Sequence, residues 1–416
     1  MSPNERNRRT IKLAFKAILN REVSGAELEI WLTKQFSSSE LLEELATSEE
    51  FAAKTCHDDE SRRYLLERVF IELLRRPISE RELDKRMSHW QPAHRFINEV
   101  LSSEEYKEKK SSYELELPQI IGTNFCVLGE SKLFTAAKLV GWYQLVIQNL
   151  LYHKNEKRKI ESAKIESTRV PRENHELVII TSMYKGEKYI ESFLESIVSQ
   201  TIFDKCLLFI VDANSPENEY QTIKRYQEDF PNIRYDRMTS VVGIYEAWNY
   251  AIQNSDSEFM TNANLDDLHR SDALELKVRA LKENPDMDVA YSDVFYSFMP
   301  NLPFEVFSEC GVRTNLPGAS KENLLRFNSP HNAPVWRRKL HNEIGFFETQ
   351  YQSAGDYEFW LRAFFSDKNF IKIAEPVTGY LQNVDGVSTR INSRGNMESQ
   401  KIRDKYGKLL KREKST

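Results

Sequence analysis

The sequence predicts an α/β protein with a mixed, mostly parallel, Rossmann-like sheet and helices on both faces, preceded by an all-α N-terminal domain. From Leu177 onward, short apolar runs alternate with amphipathic helical segments, which is typical of a parallel sheet covered on both sides. The first hundred residues contain helical patterns only. We therefore expect four parts: an all-α domain over 1–115, a helical linker over 116–175, an α/β domain over 176–385 and a basic helical tail over 386–416.

The composition is that of an ordinary globular protein, with 416 residues of which 40% are hydrophobic and 29% charged. A net charge of -5 argues against dedicated nucleic-acid binding. The four cysteines are far apart and form no CxxC pair, which indicates a reducing compartment and no zinc site. The N-terminus has no apolar core for a secretory signal, and no apolar stretch is long enough to span a bilayer. We therefore expect a cytoplasmic protein, with contact to the inner face of the membrane left open.

The N-terminal part contains one helical unit twice. FKAILNREVSGAEL at 15–28 matches FIELLRRPISEREL at 70–83, and ATSEEF at 46–51 matches LSSEEY at 101–106, both at an offset of 55 residues. A constant offset across two blocks indicates an internal duplication. SerGluGlu before an aromatic residue predicts a helix start with acidic residues in its first turn. We interpret this domain as a packing or docking module. It resembles a bacterial domain of unknown function with an LxRxxxxxEL-type signature, which implies no activity.

Two further segments each allow two interpretations. The stretch at 131–152 is amphipathic and contains Trp142 and Tyr143, so it packs on a neighbouring domain or touches a membrane surface. The C-terminal sequence KIRDKYGKLLKREKST is basic, which suits a solvated terminal helix or a helix that lies on a membrane.

Five apolar runs in the α/β segment are predicted strands, at 177–181, 206–212, 233–236, 258–263 and 289–297. Residues that could contact a ligand stand at or just after the ends of three of these strands. Since the carboxyl ends of parallel strands share one edge of the sheet, where ligands bind, we expect these side chains to converge. They are Ser182, Met183 and Tyr184 after the first strand, Asp212 at the end of the second, and Asp266 and Asp267 after the fourth.

Asp266 and Asp267 are adjacent carboxylates, so they either cap the following helix or hold something positive. Mg²⁺ and Mn²⁺ prefer oxygen ligands and are commonly completed by substrate phosphates. The sequence contains no GxxxxGK[ST], GxGxxG or HExxH motif, so a glycine-rich phosphate loop is unsupported. A diphosphate held through a carboxylate-bound cation suits a nucleotide sugar better than ATP chemistry.

Asp356 lies in SAGDYEFWLRAFF, directly after a glycine and at the start of an apolar helical stripe. One interpretation is a first-turn or N-cap acid, which stabilises a helix by about 1 kcal/mol. The other is a general base that removes a proton from an acceptor hydroxyl. One residue can do both, because a helix terminus supplies rigidity.

The order of these motifs resembles family 2 glycosyltransferases. VIITSMYKGEKYIESFLESIVSQT is similar to the family's first strand and helix, LFIVDANS to its VVDDGS motif, and GIYEAWNYAI to its GIYDAMNKGI variant. NLDD is similar to its DADD or NADD metal motif, and the segment from HNAPVW to FWLR to its late acceptor-side block. The likeness covers about 175–385. Ala213 and Asn264 depart from the family pattern, where Asp is usual.

The resemblance implies a glycosyltransferase A-type fold. It also implies transfer of a sugar, with inversion, from a nucleotide-diphosphate sugar to an acceptor hydroxyl in bacterial surface-glycan or glycoconjugate synthesis. By this resemblance Asp266 and Asp267 would bind Mn²⁺ or Mg²⁺, and Asp356 would be the general base. The substrate-binding residues would be Ser182, Met183, Tyr184, Asp212, Asn264, Asp266 and His331, although a purely structural role for His331 is an open alternative.

The expected partners are the sugar donor, a glycan, lipid-linked or protein acceptor, and a protein bound by the N-terminal helical domain. The alternative hypothesis is a catalytically inactive nucleotide-sugar-binding or scaffold protein that acts through that helical domain. The departures at Ala213 and Asn264 permit this alternative, whereas the three aspartates Asp266, Asp267 and Asp356 argue against it. Nucleotidyl transfer is disfavoured because no triphosphate loop is present.

Overall fold

The structure is a computed structural model that describes residues 3–108 with short interruptions, 125–127, 175–308 except 298–299, 312–381 and 394–414. The chain divides into two compact units. The first comprises residues 1–158, 297–312 and 382–384, and the second comprises 159–296, 313–381 and 385–416. Nearly all of the predicted linker at 116–175, including the amphipathic segment at 131–152, lies outside the described residues.

The first unit is helical over most of its described length. Its elements are α1 (Pro3–Leu19), α2 (Gly25–Thr33), α3 (Glu49–Thr55), α4 (Asp59–Leu74), α5 (Glu80–Ser88), α6 (Ala93–Ser102) and the short strand β1 (Phe125–Val127). Helix α3 begins directly after Ser48, whose hydroxyl accepts a hydrogen bond from the backbone N–H of Phe51. The sequence predicts a helix start at this SerGluGlu segment.

Equivalent positions of the two predicted repeats make equivalent contacts. Arg21 Nε donates to Glu50 Oε1 at 2.7 Å, and Arg76 Nε donates to Glu105 Oε1 at 2.7 Å. The same two arginines lie over the rings of Phe15 and Phe70, which are both buried. The same arrangement, an arginine between an aromatic ring and a carboxylate, therefore occurs in both repeats, 55 residues apart.

The second unit contains the sheet. Its strands are β2 (Leu177–Met183), β3 (Cys206–Asp212), β4 (Ile233–Arg237), β5 (Phe259–Asn262), β6 (Leu268–His269), β7 (Val289–Ser297), β8 (Val312–Thr314), β9 (Val335–Arg337) and β10 (Phe370–Leu381). Its helices after residue 175 are α7 (Ile190–Val198), α8 (Glu219–Asp229), α9 (Ile244–Gln253), α10 (Ala273–Glu283), α12 (Lys321–Arg326), α13 (Leu340–Ile344), α14 (Gly355–Phe365) and α15 (Arg394–Glu413), whereas α11 (Phe304–Ser308) belongs to the first unit.

The central strands run in the order β7-β9-β5-β2-β3-β4. β2, β3, β4 and β5 are parallel, whereas β9 is antiparallel to both of its neighbours, β5 and β7. The sheet is therefore mixed and mostly parallel, as predicted. β9 has only three residues, so its strand pattern was too short to detect in the sequence. A further strand, β10, pairs antiparallel with β6.

Two apolar cores cover the two faces of this sheet. Ile179 and Leu208 lie in the core formed with α7, α8 and α10, whereas Ile180 and Phe209 lie in the core formed with α9 and α14. Because successive strand residues point to opposite faces, a strand buried on both sides must be apolar throughout. This explains the uninterrupted apolar runs of β2 and β3.

The C-terminal helix α15 differs from the solvated terminal helix that was one of the two interpretations of its sequence. Ile402 and Tyr406 are buried and belong to a small apolar cluster with Leu324, Tyr357 and Leu361. The many basic residues of this helix concealed its apolar stripe, which occupies only one narrow face. Among the helices that the structure describes, none is both long and apolar enough to cross a membrane.

Candidate active site

The carboxyl ends of β2, β3 and β5 lie at one edge of the sheet, because these strands are parallel neighbours. Asp212 is the last residue of β3, and Asn264, Asp266 and Asp267 follow β5. Ser182 lies within β2, near its end. The predicted convergence of these residues is therefore a consequence of strand order, as expected for ligand sites in open α/β sheets.

Asp267 is 2% exposed, and two neutral groups of the chain donate hydrogen bonds to it. Asn264 Nδ2 donates to its Oδ2 at 2.9 Å, and the backbone N–H of Leu381 in β10 donates to its Oδ1 at 3.3 Å. Burial raises the pKa of Asp267 well above its usual value, and the charge of Asp266 raises it further. Burial also raises the pKa of Asp266, while the charge of Lys188 lowers it. Within the described chain neither aspartate forms an ion pair.

Asp212 is equally buried, at 1% exposure, but it has a charged partner. Arg237 Nη1, at the end of β4, donates to Asp212 Oδ2 at 2.6 Å. Tyr235 Oη donates to the same oxygen, and the backbone N–H of Ser215 donates to Oδ1 at 2.7 Å. The carboxylate of Asp212 is thus neutralised and fixed by groups of the chain itself.

The three residues predicted after β2 occupy different environments. Tyr184 is 45% exposed, whereas the side chain of Met183 is fully buried in the apolar core. Ser182 is partly buried. Ser182 and Tyr184 therefore present their side chains at the sheet edge. Met183 contributes only its backbone there, and its carbonyl accepts a hydrogen bond from the N–H of Ala213 at 2.9 Å.

Asp356 lies in the first turn of α14, with both carboxylate oxygens bound by neutral donors. Tyr245 Oη donates to Oδ1 at 3.0 Å, and Asn328 Nδ2 donates to Oδ2 at 2.8 Å. Burial raises the pKa of Asp356, and these two hydrogen bonds partly offset the rise by favouring the ionised form. A partly desolvated carboxylate with an elevated pKa and fixed orientation has the properties of a general base. Its position also agrees with the first-turn acid of the alternative interpretation.

A short loop connects the surroundings of Asp356 with those of Asp267. Asn328 binds Asp356, and four residues later Asn332 lies close enough to Asp267 to favour its ionised form. Four Cα–Cα steps span at most about 14 Å, and the turn between Asn328 and His331 shortens this. The structure thus brings the two acidic groups into one neighbourhood, although they are 89 positions apart in the sequence.

His331 lies in this loop, with its ring 4.9 Å from that of Tyr380 in an edge-to-face contact. Burial lowers the pKa of His331 to about 4, so the imidazole is neutral near pH 7. The aromatic contact agrees with the structural interpretation, and the position of His331 between Asn328 and Asn332 agrees with the substrate-binding one.

The donor set at the sheet edge fits a hard divalent cation. Asp266 and Asp267 offer carboxylate oxygens that form no ion pair within the described chain, and such oxygens are the preferred ligands of Mg²⁺ and Mn²⁺. Next to them, both amide atoms of Asn332 are buried and have no hydrogen-bond partner among the described residues. No cluster of three or more His, Cys, Asp or Glu side chains suited to a metal occurs in the described part of the chain, so water or substrate oxygens would complete the shell.

Comparison with known proteins identifies the domain. Residues 178–344 match the family model described as Glycosyl transferase family 2. This chain carries a family 2 glycosyltransferase domain. The motifs in its strands and loops implied this family and a glycosyltransferase A-type fold, and both are confirmed. The expectation that the chain is a glycosyltransferase is confirmed with them.

Individual relatives of the glycosyltransferase domain are distant. An uncharacterized glycosyltransferase of Methanocaldococcus jannaschii is 23% identical over 220 residues, covering 51% of this chain and 73% of that protein. The minor teichoic acid biosynthesis protein GgaB of Bacillus subtilis is 25% identical over 126 residues, covering 30% of this chain and 14% of GgaB. TarS of S. aureus, solved with UDP-GlcNAc, gives a TM-score of 0.44 at 19% identity, covering 52% of this chain and 61% of that chain. The similarity thus spans less than two thirds of GgaB and of the TarS chain.

Sequence reasoning missed the residues of the glycosyltransferase domain that support Asp356. Tyr245 and Asn328 reach it from 111 and 28 positions away. Gly355 is required for this arrangement, since a Cβ at that position would lie 2.6 Å from the ring of Tyr245. The only available signal was the glycine directly before Asp356, whose lack of a Cβ allows the ring of Tyr245 to come close.

Lys277 is a second residue that the sequence did not reveal, because an isolated lysine in an amphipathic helix is normally exposed. It is fully buried in α10, where its Nζ donates to the carbonyl of Ala333 at 2.7 Å and to Thr378 Oγ1 at 3.0 Å. Burial lowers the pKa of Lys277 to about 7. Ala333 has a positive φ of 44°, which is unusual for a residue with a side chain. Lys277 therefore holds the strained end of the loop that carries His331 and Asn332.

A third set of contacts joins the ends of β2 and β3 within the glycosyltransferase domain. The buried Glu219 accepts hydrogen bonds from the backbone N–H of Gly186 at 2.8 Å and from Ser215 Oγ at 2.7 Å. Gly186 also packs directly on Leu265, which leaves no room for a Cβ. The loop that presents Tyr184 is thus fixed both to the Asp212 side and to the NLDD segment.

Proposed function

We propose that this protein transfers a sugar from a nucleotide-diphosphate sugar to an acceptor hydroxyl with inversion, with Asp356 as general base and a divalent cation bound by Asp266 and Asp267. The observation that carries this proposal is the loop Asn328–Asn332, which contacts Asp356 at one end and approaches Asp267 at the other. A base and a donor site in one neighbourhood are what a direct displacement requires.

The two acidic groups have different parts in this reaction. Asp356 accepts the proton of the acceptor hydroxyl as its oxygen attacks the anomeric carbon, and Tyr245 and Asn328 hold the carboxylate in place during that step. General-base assistance of this kind typically contributes about 10²- to 10⁴-fold. When bound, the cation would supply charge stabilisation for the departing nucleoside diphosphate.

The remaining predicted residues complete the donor side in this proposal. The nucleotide sugar is contacted from the sheet edge by Ser182, Tyr184 and Asn264. Asp212, which Arg237 neutralises and Ser215 holds in place, forms one rigid side of the donor site. The side-chain amide of Asn332 has no hydrogen-bond partner among the described residues. In this proposal it hydrogen-bonds to the bound donor or to a ligand of the cation. His331 stands on the acceptor side of the same loop.

The acceptor belongs to a surface glycan or glycoconjugate in this proposal, whether carried on a glycan, a lipid or a protein. Support comes from the name of the Bacillus relative, which places that protein in minor teichoic acid biosynthesis. We further propose that residues 1–115 form a separate all-α domain that docks a protein partner, and that 176–385 form the catalytic domain. The duplicated arginine networks support an independent helical unit.

The test is a panel of nucleotide sugars with Mn²⁺ or Mg²⁺, in which release of nucleoside diphosphate is measured. We expect one donor to be turned over, and Asp356→Asn to lower kcat by about 10²-fold or more while donor affinity is retained. The matched control is Asp367→Asn, an exposed aspartate after the other end of α14, which should turn over normally. Absence of turnover with every donor, or equal loss of donor binding in Asp356→Asn, contradicts the proposal.

A further inference from the structure

The C-terminal helix α15 places a buried carboxylate directly beside the loop that precedes Asp356. Glu398 is 9% exposed. Its Oε2 accepts hydrogen bonds from the backbone N–H groups of Ser353 at 3.0 Å and of Ala354 at 3.1 Å, and both oxygens accept from Gln352 at 3.1 Å. One side chain thus binds three consecutive backbone donors.

These contacts supply what the local sequence lacks. Helix α14 begins at Gly355 with Ala354 as its N-cap residue, and an alanine side chain cannot accept the hydrogen bonds of free N–H groups at a helix start. Glu398 provides that acceptor from 44 positions away. Its negative charge also lies near the positive end of the α14 dipole, which is favourable. Charge-assisted hydrogen bonds to backbone N–H groups are about twice as strong as neutral ones.

A second carboxylate fixes α15 against α14, so the position of Glu398 is well defined. Glu358, fully buried in α14, accepts a hydrogen bond from Tyr406 Oη at 2.7 Å and pairs with Lys405 Nζ at 3.2 Å. Ile402 packs between these two contact regions in the shared apolar cluster. The two helices are therefore joined at both ends of their contact, by Glu398 at one and Glu358 at the other.

We propose that Glu398 is a positioning residue for the general base: it fixes residues 352–354 and so sets where the carboxylate of Asp356 stands. This inference rests on the proposed role of Asp356. Glu398 touches no reacting atom, and Asp356 follows the fixed segment by only two residues. A misplacement of about 1 Å in a reacting group can lower a rate about 10²-fold, so the loss of three hydrogen bonds at this loop has a direct catalytic consequence.

The test compares Glu398→Gln and Glu398→Asp with the wild type in two independent measurements. The first is hydrogen exchange of the backbone amides in peptides that cover 350–357, which needs no substrate. The second is steady-state kinetics with the active donor. We expect Glu398→Gln to accelerate exchange at 352–354 and to lower kcat about 10- to 100-fold with the KM for the donor unchanged. Glu398→Asp keeps the charge on a shorter side chain, so it should recover part of the loss.

Glu413→Gln is the matched control, because Glu413 lies on the same helix and accepts a hydrogen bond from Lys321 Nζ at 2.7 Å. It should leave both measurements unchanged. Faster exchange at 352–354 with an unchanged kcat overturns the proposal, and so does a loss of kcat matched by an equal loss of donor affinity. If the wild type turns over no donor at all, the proposed function fails, whereas the exchange measurement still decides whether Glu398 holds the loop.

Discussion

Asp212 and Asp267 stand at the same edge of the sheet, beyond neighbouring parallel strands, and both are almost completely buried. Asp212 is paired with Arg237 at 2.6 Å. Asp267 has another carboxylate beside it and receives only neutral hydrogen bonds from Asn264 and Leu381. The chain neutralises the first acid by itself, whereas the proposed cation would neutralise the second. Of these two equally buried acids, the one without a countercharge in the chain is therefore the better candidate for a cation ligand.

The largest effect on stability should come from removing the countercharge of Asp212. Arg237→Gln leaves a buried carboxylate without its ion pair, and we expect a loss of about 2–4 kcal/mol in the free energy of unfolding, reduced from the range for fully buried pairs because Arg237 is partly exposed. Denaturant unfolding without ligand measures this. Arg225→Gln, which breaks an ion pair with Glu191 at 62% exposure of both side chains, should change stability by less than about 0.5 kcal/mol. If both substitutions lowered the free energy of unfolding equally, the Arg237–Asp212 pair would contribute no more than an exposed ion pair, and the contrast between Asp212 and Asp267 would be wrong.

Asp267→Asn should have the opposite sign in the absence of a cation. The folded-state pKa of Asp267 is raised, so the folded protein holds the proton more tightly than the unfolded chain. Stability of the wild type then falls as the pH rises from about 3.9 to the raised value. Each pKa unit of that rise corresponds to about 1.4 kcal/mol. Above this window Asp267→Asn should be the more stable protein in thermal unfolding.

Added Mn²⁺ and donor should reverse that order. At a ligand concentration of about 100 times Kd, the wild type gains about 2.7 kcal/mol, whereas Asp267→Asn should gain little. A variant that is less stable than the wild type at every pH, or that keeps its full response to Mn²⁺, would show that Asp267 is not the cation's ligand.

Tyr245→Phe should give the smallest effect and concerns the third acid, Asp356. The Tyr245 hydroxyl favours the ionised form of Asp356, so its removal raises the pKa of Asp356 and moves the acid limb of the kcat profile to higher pH. At neutral pH we expect a loss of about tenfold at most, the value of one hydrogen bond. Tyr250→Phe is the control, because its hydroxyl binds Asp236 from the same helix, α9. An unchanged or lower acid limb in Tyr245→Phe would contradict the assignment of the base.

The sequence predicted the residues whose positions follow from strand periodicity. Asp212, Asp266 and Asp267 could be placed at the sheet edge because the ends of the apolar runs mark the strand ends, and parallel strands bring those ends together. The strands β6, β8 and β9 went undetected because two or three residues carry no periodicity, and the twelve-residue β10 was not predicted either. The α/β fold was therefore largely predictable, apart from its shortest strands and β10.

Partners of the site residues were not predictable in the same way. Tyr245, Lys277 and Glu398 contact their targets from 111, 56 and 44 positions away, and nothing in their local sequence distinguishes them from ordinary helix residues. Lys277 and Glu398 are charged residues of the kind that normally face solvent. Whether they are buried depends on which elements pack against them in the folded protein, and the local sequence does not reveal this.

The region that matches the family model ends at residue 344, whereas Asp356 and every residue of α14 and α15 come later in the chain. A recombinant fragment cut at that boundary would lose Asp356 and the helix that secures its loop. It would also lose Phe359 and Trp360 from the core of the sheet and Leu381, whose backbone binds Asp267, so the matched region is shorter than the unit that can fold and build the whole site.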